Sequence, residues 1–324
     1  MEERRRRKLS PEEIRRRKIK KLVRYLVPRS VAFCLVTILV ILIGSSRVNH
    51  INGKSRNAVD DAVVTEYKDV ALIDFDENNS PDNSDTAEKN LSDPFYEISG
   101  IKFYKVQGDL YTGTMCVIED PQRVFVGTCG DYTGEAGLSV PQICEKYSAT
   151  LAINAGGMED PGGYGDGGTP IGIVISQGAL KFGSLTESYD IIGFDNDNNF
   201  VIGNMTGQQA LDRGVRDAVS FGPFLVVDGV EQSVAGQRGG LNLRSAIGQR
   251  ADGAVLILAI DGRAAHSLGA MMEDVAAVMV EYGAVNAANL DGGGSTVLYY
   301  DGTIQNSMSC IFGARGCPTA FLVQ

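Results

Sequence analysis

The sequence predicts an α+β protein, a single domain of mixed β-sheets with a few helices, preceded by one N-terminal transmembrane helix. From residue 96 onward, short apolar runs alternate with Gly, Asp and Asn, which is the pattern of strands joined by turns. Helical patterns occur in three places in this part, at residues 141–147, 206–213 and 270–282. One uncharged apolar segment, residues 30–46, lies near the N-terminus. The 324 residues are enough for one large domain with a substantial core.

The charge of the chain is divided sharply between its N-terminus and the rest. Residues 1–29 contain thirteen of the 30 Lys and Arg residues but only four of the 40 Asp and Glu residues. The other 295 residues therefore hold 17 basic and 36 acidic side chains, a formal net charge of −19. A protein that binds nucleic acid needs clustered cations to displace phosphate counterions. We therefore expect no nucleic-acid partner, and a nucleic-acid-binding patch at the N-terminal arginines is the less favoured alternative.

The uncharged segment predicts how the chain meets a membrane. It is 17 residues long, at the short end for a membrane-spanning helix, and the excess of Lys and Arg before it places the basic segment 1–29 in the cytoplasm. A cleaved signal peptide is the alternative, but the basic region is unusually long and residues 44–46 form a poor cleavage site. We favour an uncleaved signal anchor at 30–46, followed by an acidic tether at 47–95. The main domain, 96–324, would then lie outside the cell, in a single-pass protein of the cell membrane.

The first part of the main domain brings a polar side chain to the end of an apolar strand. A meander of β-like runs between residues 98 and 127 is followed by a short helix and by the strand 150–153. Asn154 comes directly after that strand, and Gly156 and Gly157 follow it. An Asn close to glycines is also typical of an ordinary turn.

A glycine-rich loop follows at residues 159–168 and contains Asp160 and Asp166. A flexible surface loop is the favoured interpretation, and a lid over a site or a cradle for a hard cation are the alternatives. We predict no cofactor, and a divalent cation such as calcium is left open.

Two later strands end in carboxylates. The strand 254–260 runs into Asp261, and an apolar segment runs into Asn289 and Asp291. Partial burial at a strand end raises the pKa of a carboxyl group toward the range that proton donation to a leaving oxygen requires. Asp291 is followed by Gly292, Gly293, Gly294 and Ser295, whose backbone N–H groups can form an anion-binding nest. The segment is not a P-loop, because no Lys follows the glycines.

Three more charged residues stand at the starts of predicted elements. Arg244 precedes the strand 245–248, where a guanidinium can present a planar fork to two phosphate oxygens; a salt bridge to a carboxylate is the alternative. Glu273 and Asp274 open the predicted helix that stops at Gly283. Acidic residues in a first turn are also ordinary partners of the helix dipole.

In this order and spacing, these segments and the C-terminal Arg315-Gly-Cys-Pro run resemble the phosphodiester glycosidase family. That family includes enzymes that remove a capping N-acetylglucosamine and bacterial proteins of exopolysaccharide biosynthesis. The resemblance covers residues 98–324 and is strongest from Ser220 onward. The chain departs from the family at Leu243, where proline is usual, and at Ser245, where threonine is usual.

The resemblance implies roles for the candidate residues. Asp291 would act with Asp261 or Glu273 as the carboxylate pair, and which is acid and which is base stays open. Arg244 and the three glycines would bind phosphate, and Asn154 and Asn289 would orient sugar hydroxyls. The other expected substrate-binding residues are Gly156, Gly157, Ser295 and Arg315.

The resemblance thus implies an extracytoplasmic hydrolase that cleaves the C1–O bond of a sugar 1-phosphodiester in a surface polysaccharide, teichoic-type polymer or glycan. The expected partners are that substrate, in polymeric form, and the membrane. A non-catalytic wall-binding or glycan-binding module and a glycosyl-phosphate transferase of polymer assembly are the alternatives.

The cysteines agree only in part with an exported protein. Cys34 lies in the predicted anchor, which leaves an odd number outside. Cys310 and Cys317 bracket a short loop, and a disulfide between them would fix Arg315 near the site. The other three would form one more bridge and a leftover thiol, or would be simple buried residues; they are Cys116, Cys129 and Cys144.

Overall fold

Strands make up most of the regular structure, as the alternation of short apolar runs and turn residues predicts. The computed structural model describes residues 93–161, 165–307 and 314–324. All of these residues belong to one compact unit, Ser80–Gln324. The predicted basic segment, anchor and all but the last three residues of the tether lie outside the described residues. None of the helices in the described part of the chain is long and apolar enough to cross a membrane.

The described residues form twenty strands, β1 to β20, and three α-helices, α1 to α3. The strands are Tyr96–Ile98, Ile101–Gln107, Thr112–Ile118, Val124–Thr128, Leu138–Ser139, Leu151–Asn154, Val174–Ser176, Ala179–Phe182, Ser188–Asp195, Phe200–Thr206, Val215–Ser220, Phe224–Val227, Val230–Glu231, Arg244–Arg250, Val255–Ile260, Ala284–Asn289, Leu298–Tyr300, Thr303–Ile304, Gly316–Cys317 and Thr319–Val323. The α-helices are Val140–Lys146, Gly207–Asp212 and Met272–Glu281, and two 3-10 turns span Pro121–Arg123 and Gly293–Ser295. The three helices lie where the sequence predicts them.

The strands form three main sheets and a small two-stranded one. The largest sheet has the order β1-β2-β3-β15-β14-β16-β12-β13, and two five-stranded sheets have the orders β10-β9-β11-β7-β8 and β18-β17-β6-β20-β4. Every strand pair among the described residues is antiparallel, so the predicted mixed sheets are wrong in that respect. Helix α3 connects β15 to β16 and could serve as a parallel crossover, but β14 lies between these two strands and pairs antiparallel with both.

The largest sheet buries both of its faces. Ile247 and Ala288 on one face pack with Phe321 of the third sheet. Ala246 and Ala287 on the other face pack with helix α3. Burial of a large apolar side chain such as Ile247 contributes about 1.5–3 kcal/mol relative to exposure. The two layers hold the ends of the sheet in fixed positions.

Helix α3 has defined ends. The carboxylate of Asp274 accepts a hydrogen bond of 2.8 Å from the N–H of Met271, which caps the first turn. Gly283 follows the helix with φ of 80°, the left-handed conformation that favours glycine at a helix C-terminus. The predicted stop at Gly283 is confirmed. Because Asp274 serves as a cap, Glu273 is the first-turn carboxylate that is left for other contacts.

The register of three strands brings the predicted site residues to one edge of the largest sheet. Strand β14 is antiparallel to both of its neighbours, β15 and β16. Its first residue, Arg244, pairs with the last residue of β15, Ile260, and Ala246 pairs with the last residue of β16, Asn289. Arg244, Asp261 and the segment after Asn289 therefore share an edge, which we call the site edge.

Candidate active site

The ends of all three main sheets converge at the site edge. The N–H of Asp291 donates to the carbonyl of Ala155 just beyond β6, at 3.1 Å. The N–H of Gly157 donates to the carbonyl of Ser220 at the end of β11, also at 3.1 Å. Backbone bonds thus tie the loop after β16 to the loop after β6, and that loop to the end of β11. Polar side chains that are distant in sequence meet here.

Asp291 lies at the centre of this junction and is partly buried. Its Oδ1 accepts the N–H of Gly292 at 3.0 Å, and the side chain of Ser295 also bonds to the carboxyl group. Burial raises the pKa of Asp291, and the charge of Asp160 adds to this, whereas Ser295, Gly292 and Arg315 oppose it. The carboxyl group therefore keeps its proton to higher pH than an ordinary Asp. This property suits a proton donor.

Asn154 positions the loop that carries Asp291. It is fully buried, and its amide nitrogen donates to the carbonyl of Asp291 at 2.5 Å. Its Oδ1 accepts the hydroxyl of Ser245 at 2.9 Å and the N–H of Val297 at 3.1 Å. The amide of Asn154 is thus bound to the protein itself, and its contact with a sugar stays a prediction. Gly157, another predicted substrate-binding residue, packs tightly, since a Cβ at this position would lie 2.8 Å from the ring of Phe221.

Gly156 follows the same pattern. Its N–H donates to the hydroxyl of Thr319 at 3.1 Å, and a Cβ on Gly156 would lie 3.0 Å from the Cβ of Val219. The two glycines allow β6 to meet its neighbours closely, which is a packing requirement.

The side chain of Arg244 is bound to the protein's own backbone. Its side chain is buried, with the residue only 3% exposed. Nε donates to the carbonyl of Ala270 at 3.1 Å, and the two Nη atoms donate to carbonyls of the segment 238–240 at 2.7–3.5 Å. Burial lowers the pKa of Arg244, while the charges of Glu273 and Asp274 raise it. The guanidinium holds a surface loop against α3, and the phosphate role of Arg244 stays a prediction.

Two buried oxygen atoms at the site edge have no hydrogen-bond partner among the described residues. One is Oδ1 of Asn289, whose residue is 2% exposed and whose Nδ2 donates to the carbonyl of Gly222 at 2.9 Å. The other is Oε2 of Glu273 in the first turn of α3. An unsatisfied buried acceptor costs roughly 1–3 kcal/mol, and such atoms often face a ligand or water.

These two acceptors belong to the same region. Asn289 pairs with Ala246 and so lies on the face of the sheet that packs against α3. Arg244 pairs with Ile260 on that face, and the charge of Glu273 acts on Arg244. The region therefore offers hydrogen-bond acceptors to a ligand rich in donors, such as the hydroxyl groups of a sugar.

Asp261 is tied to the loop that follows β18. Its Oδ1 accepts the N–H of Ser307 at 2.7 Å, and its Oδ2 lies 3.4 Å from Nε2 of His266. The hydroxyl of Ser307 lies 3.2 Å from the same nitrogen. A Ser-His-Asp triad uses both ring nitrogens, so these three residues are not arranged as one. The contacts indicate that Asp261 anchors the chain around Ser307.

Arg315 connects the glycine-rich loop to the C-terminal segment. Its Nη2 forms an ion pair with Asp160 and donates to the carbonyl of Gly165 at 3.0 Å. The hydrogen bond from Arg315 lowers the pKa of Asp160. Asp160 and Arg315 both act on the pKa of Asp291, so the loop lies close to the junction. The sequence identified this loop but did not indicate that Arg315 would hold it.

The predicted glycine nest is largely used by the protein. The N–H of Gly292 binds Asp291, and the N–H of Gly293 donates to the carbonyl of Leu243 at 2.9 Å. Gly293 has φ of 60°, a left-handed conformation that only glycine adopts easily. Ser295 contributes through its bond to Asp291.

Arg263 belongs to the Asp261-Gly262-Arg263 segment that contributes to the family resemblance, but no role was assigned to it from the sequence. It follows Asp261 and Gly262 and is exposed. Its Nη2 donates to Oδ1 of Asn242 at 3.0 Å, and a Cβ on Gly293 would lie 3.6 Å from that Nη2. An arginine directly after a strand end that carries a carboxylate was the sequence signal for it.

The described cysteines are all free thiols. Cys317 is buried, and its predicted partner Cys310 lies outside the described residues. Burial raises the pKa of Cys317 well above its ordinary value. The other three described cysteines are also unpaired: Cys116 and Cys144 are buried, and Cys129 is half-buried. In the part of the chain that the structure covers, no group of three or more His, Cys, Asp or Glu side chains is placed to hold a metal ion.

Comparison with protein families connects this geometry to known proteins. The model of the phosphodiester glycosidase family matches residues 147–324, more than half of the chain. The SPbeta prophage-derived uncharacterized protein YomE of Bacillus subtilis (strain 168) is 29% identical over 205 residues, which cover 59% of this chain. The chain spans 29% of the length of that relative.

Solved structures share the fold at low sequence identity. The catalytic domain of zebrafish N-acetylglucosamine-1-phosphodiester alpha-N-acetylglucosaminidase, auto-inhibited by its pro-peptide, matches with a TM-score of 0.58 and 18% identity. That match covers 72% of this chain and 86% of the zebrafish chain. A hypothetical protein from Synechocystis and a putative exported protein from Burkholderia pseudomallei K96243 each match with a TM-score of 0.50 and 16% identity. These matches cover 69% and 66% of this chain, and 62% and 74% of the other chains, respectively.

Proposed function

The chain belongs to the phosphodiester glycosidase family, and on that premise we propose that it hydrolyses the C1–O bond of a sugar 1-phosphodiester in a surface polysaccharide, teichoic-type polymer or glycan. The proposed place of action is outside the cell, with the chain anchored by residues 30–46. The basic N-terminus and the uncharged segment support the anchor. The name of the zebrafish enzyme makes N-acetylglucosamine the first sugar to test.

One observation carries the proposal: a carboxyl group with a raised pKa lies at the same sheet edge as two buried oxygens that have no hydrogen-bond donor among the described residues. A glycosidase needs a carboxylic acid that stays protonated and a second carboxylate that accepts a proton or attacks C1. It also needs acceptors that fix sugar hydroxyl groups. Asp291, Glu273 and Asn289 supply these three functions in the proposed mechanism.

Asp291 is the proposed acid. Protonation of the bridging oxygen by Asp291 would let the phosphate leave while C1 gains oxocarbenium character. Burial favours the protonated form of Asp291 before the reaction. After the bond breaks, Gly292 and Ser295 stabilise the carboxylate that forms through hydrogen bonds.

Glu273 is the proposed second carboxylate, and the contacts of the two side chains support this choice over Asp261. Both oxygens of Asp261 have contacts, with Ser307 and His266, whereas Oε2 of Glu273 has none among the described residues. A free carboxylate oxygen can take a proton from water or attack the sugar directly. Asn289 would accept a sugar hydroxyl through its unsatisfied Oδ1.

The test measures release of free sugar by the full-length chain from UDP-N-acetylglucosamine and from a teichoic-type glycosyl phosphodiester. We expect Glu273→Gln to lower kcat by roughly 10²–10⁴-fold, the usual contribution of a positioned acid or base. Asp261→Asn, the matched control, should keep kcat within a few fold because its carboxylate serves the loop around Ser307.

A large loss of kcat in Asp261→Asn with little loss in Glu273→Gln would assign the role of second carboxylate to Asp261. Wild-type protein that binds polymer but releases no sugar would support a glycan-binding module. Sugar transfer only to an acceptor other than water would identify a transferase.

A further inference from the structure

We propose that Arg263, oriented by Asn242 and placed over the glycine loop 292–294, binds the phosphate group of the substrate. This inference rests on the proposed function, because it names the phosphate subsite of the same site edge. It replaces the phosphate role predicted for Arg244. It also explains why an exposed arginine occupies the loop that leaves strand β15.

A phosphodiester requires a local cation in this protein. The chain from residue 30 to the end carries a net formal charge of −19, which would repel the negative charge of the phosphate. An arginine suits the group because its planar guanidinium donates two parallel hydrogen bonds to phosphate oxygens.

Other arginines around the site edge are already in use. The guanidinium of Arg244 is buried against backbone carbonyls, and Arg315 is paired with Asp160. The guanidinium of Arg238 stacks on the ring of Phe221, with 4.5 Å to the ring centroid. Arg263, by contrast, forms no ion pair with a carboxylate among the described residues.

The local structure holds Arg263 in place and leaves its donors available. Its backbone has φ of 55°, and its N–H donates to the carbonyl of Leu268 at 3.4 Å. The hydrogen bond from Nη2 to Oδ1 of Asn242, 3.0 Å long, orients the guanidinium. A guanidinium has five N–H donors, so one bond leaves the others for a ligand.

The glycine loop provides the space. A Cβ on Gly293 would lie 3.4 Å from Nδ2 of Asn242 and 3.6 Å from Nη2 of Arg263. The absence of side chains on the loop therefore leaves room for a ligand beside the guanidinium. Gly292 directly follows Asp291, so a phosphate bound over this loop lies next to the carboxyl group that would protonate its bridging oxygen.

The kinetic test compares two substrates with the same sugar, a glycosyl phosphodiester and a 4-nitrophenyl glycoside with a neutral leaving group. For the full-length chain carrying Arg263→Gln, we expect kcat/KM on the phosphodiester to fall about 100-fold, as for loss of one preorganised donor group. The same variant should hydrolyse the neutral glycoside within threefold of wild type.

Two further variants control for charge and shape. Arg263→Lys keeps the charge without the fork, and we expect a loss on the phosphodiester between those of wild type and Arg263→Gln. Arg213→Gln removes an equal charge from an exposed position after helix α2 and should change neither substrate. Equal losses of Arg263→Gln on both substrates, or no loss on either, would overturn the proposal.

A binding measurement separates this proposal from the proposed function. Titration of N-acetylglucosamine 1-phosphate into the full-length chain, followed by ³¹P NMR, should give saturable binding that Arg263→Gln weakens at least tenfold. Such binding without hydrolysis of any substrate would defeat the proposed function and leave the phosphate subsite standing. Hydrolysis with phosphate binding that is absent, or unchanged in Arg263→Gln, would defeat the subsite alone.

Discussion

The carboxyl group of Asp291 lies where the protein disfavours its charge. Burial is the main cause, and the hydrogen bonds from Ser295 and Gly292 compensate only in part. Groups with perturbed pKa values of this kind concentrate at functional sites. The same perturbation has a consequence for stability, because a raised carboxyl pKa in the folded state makes the ionised form costly to the fold.

Asp291→Asn should therefore stabilise the protein at neutral and alkaline pH. Below the pKa of the unfolded chain, Asp291 is protonated in both states and the cost is absent. The cost grows as pH rises toward the folded pKa and is full above it. We expect a higher Tm than wild type at pH 8 by calorimetry, with the difference vanishing near pH 3. Asp109→Asn, at an exposed position, corrects for the loss of one charge; a difference that does not change with pH would contradict this assignment.

The sequence predicted well which residues lie together at the site, but it predicted the contacts of each side chain less well. Arg244, Asp261 and Asp291 stand at strand ends in the sequence, and the strands do bring them to one edge. The partners of these side chains come from distant segments, such as Ser245 for Asn154, 91 positions apart. Local patterns carry no information about such partners, so the predicted ligands Asn154 and Arg244 are bound within the protein.

At the scale of elements, three glycines join the loop 165–168 to the C-terminal strands. A Cβ on Gly167 would lie 2.1 Å from the carbonyl oxygen of Gly316, and one on Gly137 would lie 2.2 Å from that of Gly167. Arg315 lies just before this contact and holds Asp160. The close backbone approach therefore sets the position of a charged pair that acts on Asp291.

Gly167→Ala should lower kcat/KM by about 100-fold, because displacements of about 1 Å in a catalytic site have effects of that size. Gly178→Ala is the matched control: Gly178 has φ of 73° against 77° for Gly167, but no atom lies within 4 Å of its Cβ position. Both variants carry a left-handed strain of about 1–2 kcal/mol. Steady-state kinetics with Tm measurements separate the effects, and equal activity losses in the two variants would count against the role of this loop.

Element boundaries followed from local chemistry. Helix α3 ends before Gly283 as predicted, and the helix that begins at Gly207 is capped by Thr206, whose hydroxyl accepts the N–H of Gln209 at 3.1 Å. Strand pairing did not follow in the same way. Which strands become neighbours depends on the whole chain, and the strand order β15-β14-β16 in the largest sheet has no local signal.

At the scale of the whole molecule, an acidic body surrounds the site that is proposed for an anionic substrate. A net charge of −19 beyond residue 29 makes attraction at long range unfavourable, so binding depends on cations placed at the site itself. Of the arginines near the site edge, Arg244 and Arg315 hold loops and Arg238 stacks on Phe221, which leaves Arg263 as the one proposed to bind the phosphate. The composition predicted the acidic body, whereas the separate contacts of these arginines depend on the folded arrangement.

The most direct test of the central claim is hydrolysis of a glycosyl phosphodiester by the full-length chain in H₂¹⁸O, with products resolved by mass spectrometry. Cleavage of the C1–O bond places ¹⁸O in the released sugar and leaves the phosphate unlabelled, which is the predicted result. Label in the phosphate would show attack at phosphorus and would contradict the proposed glycosidase mechanism.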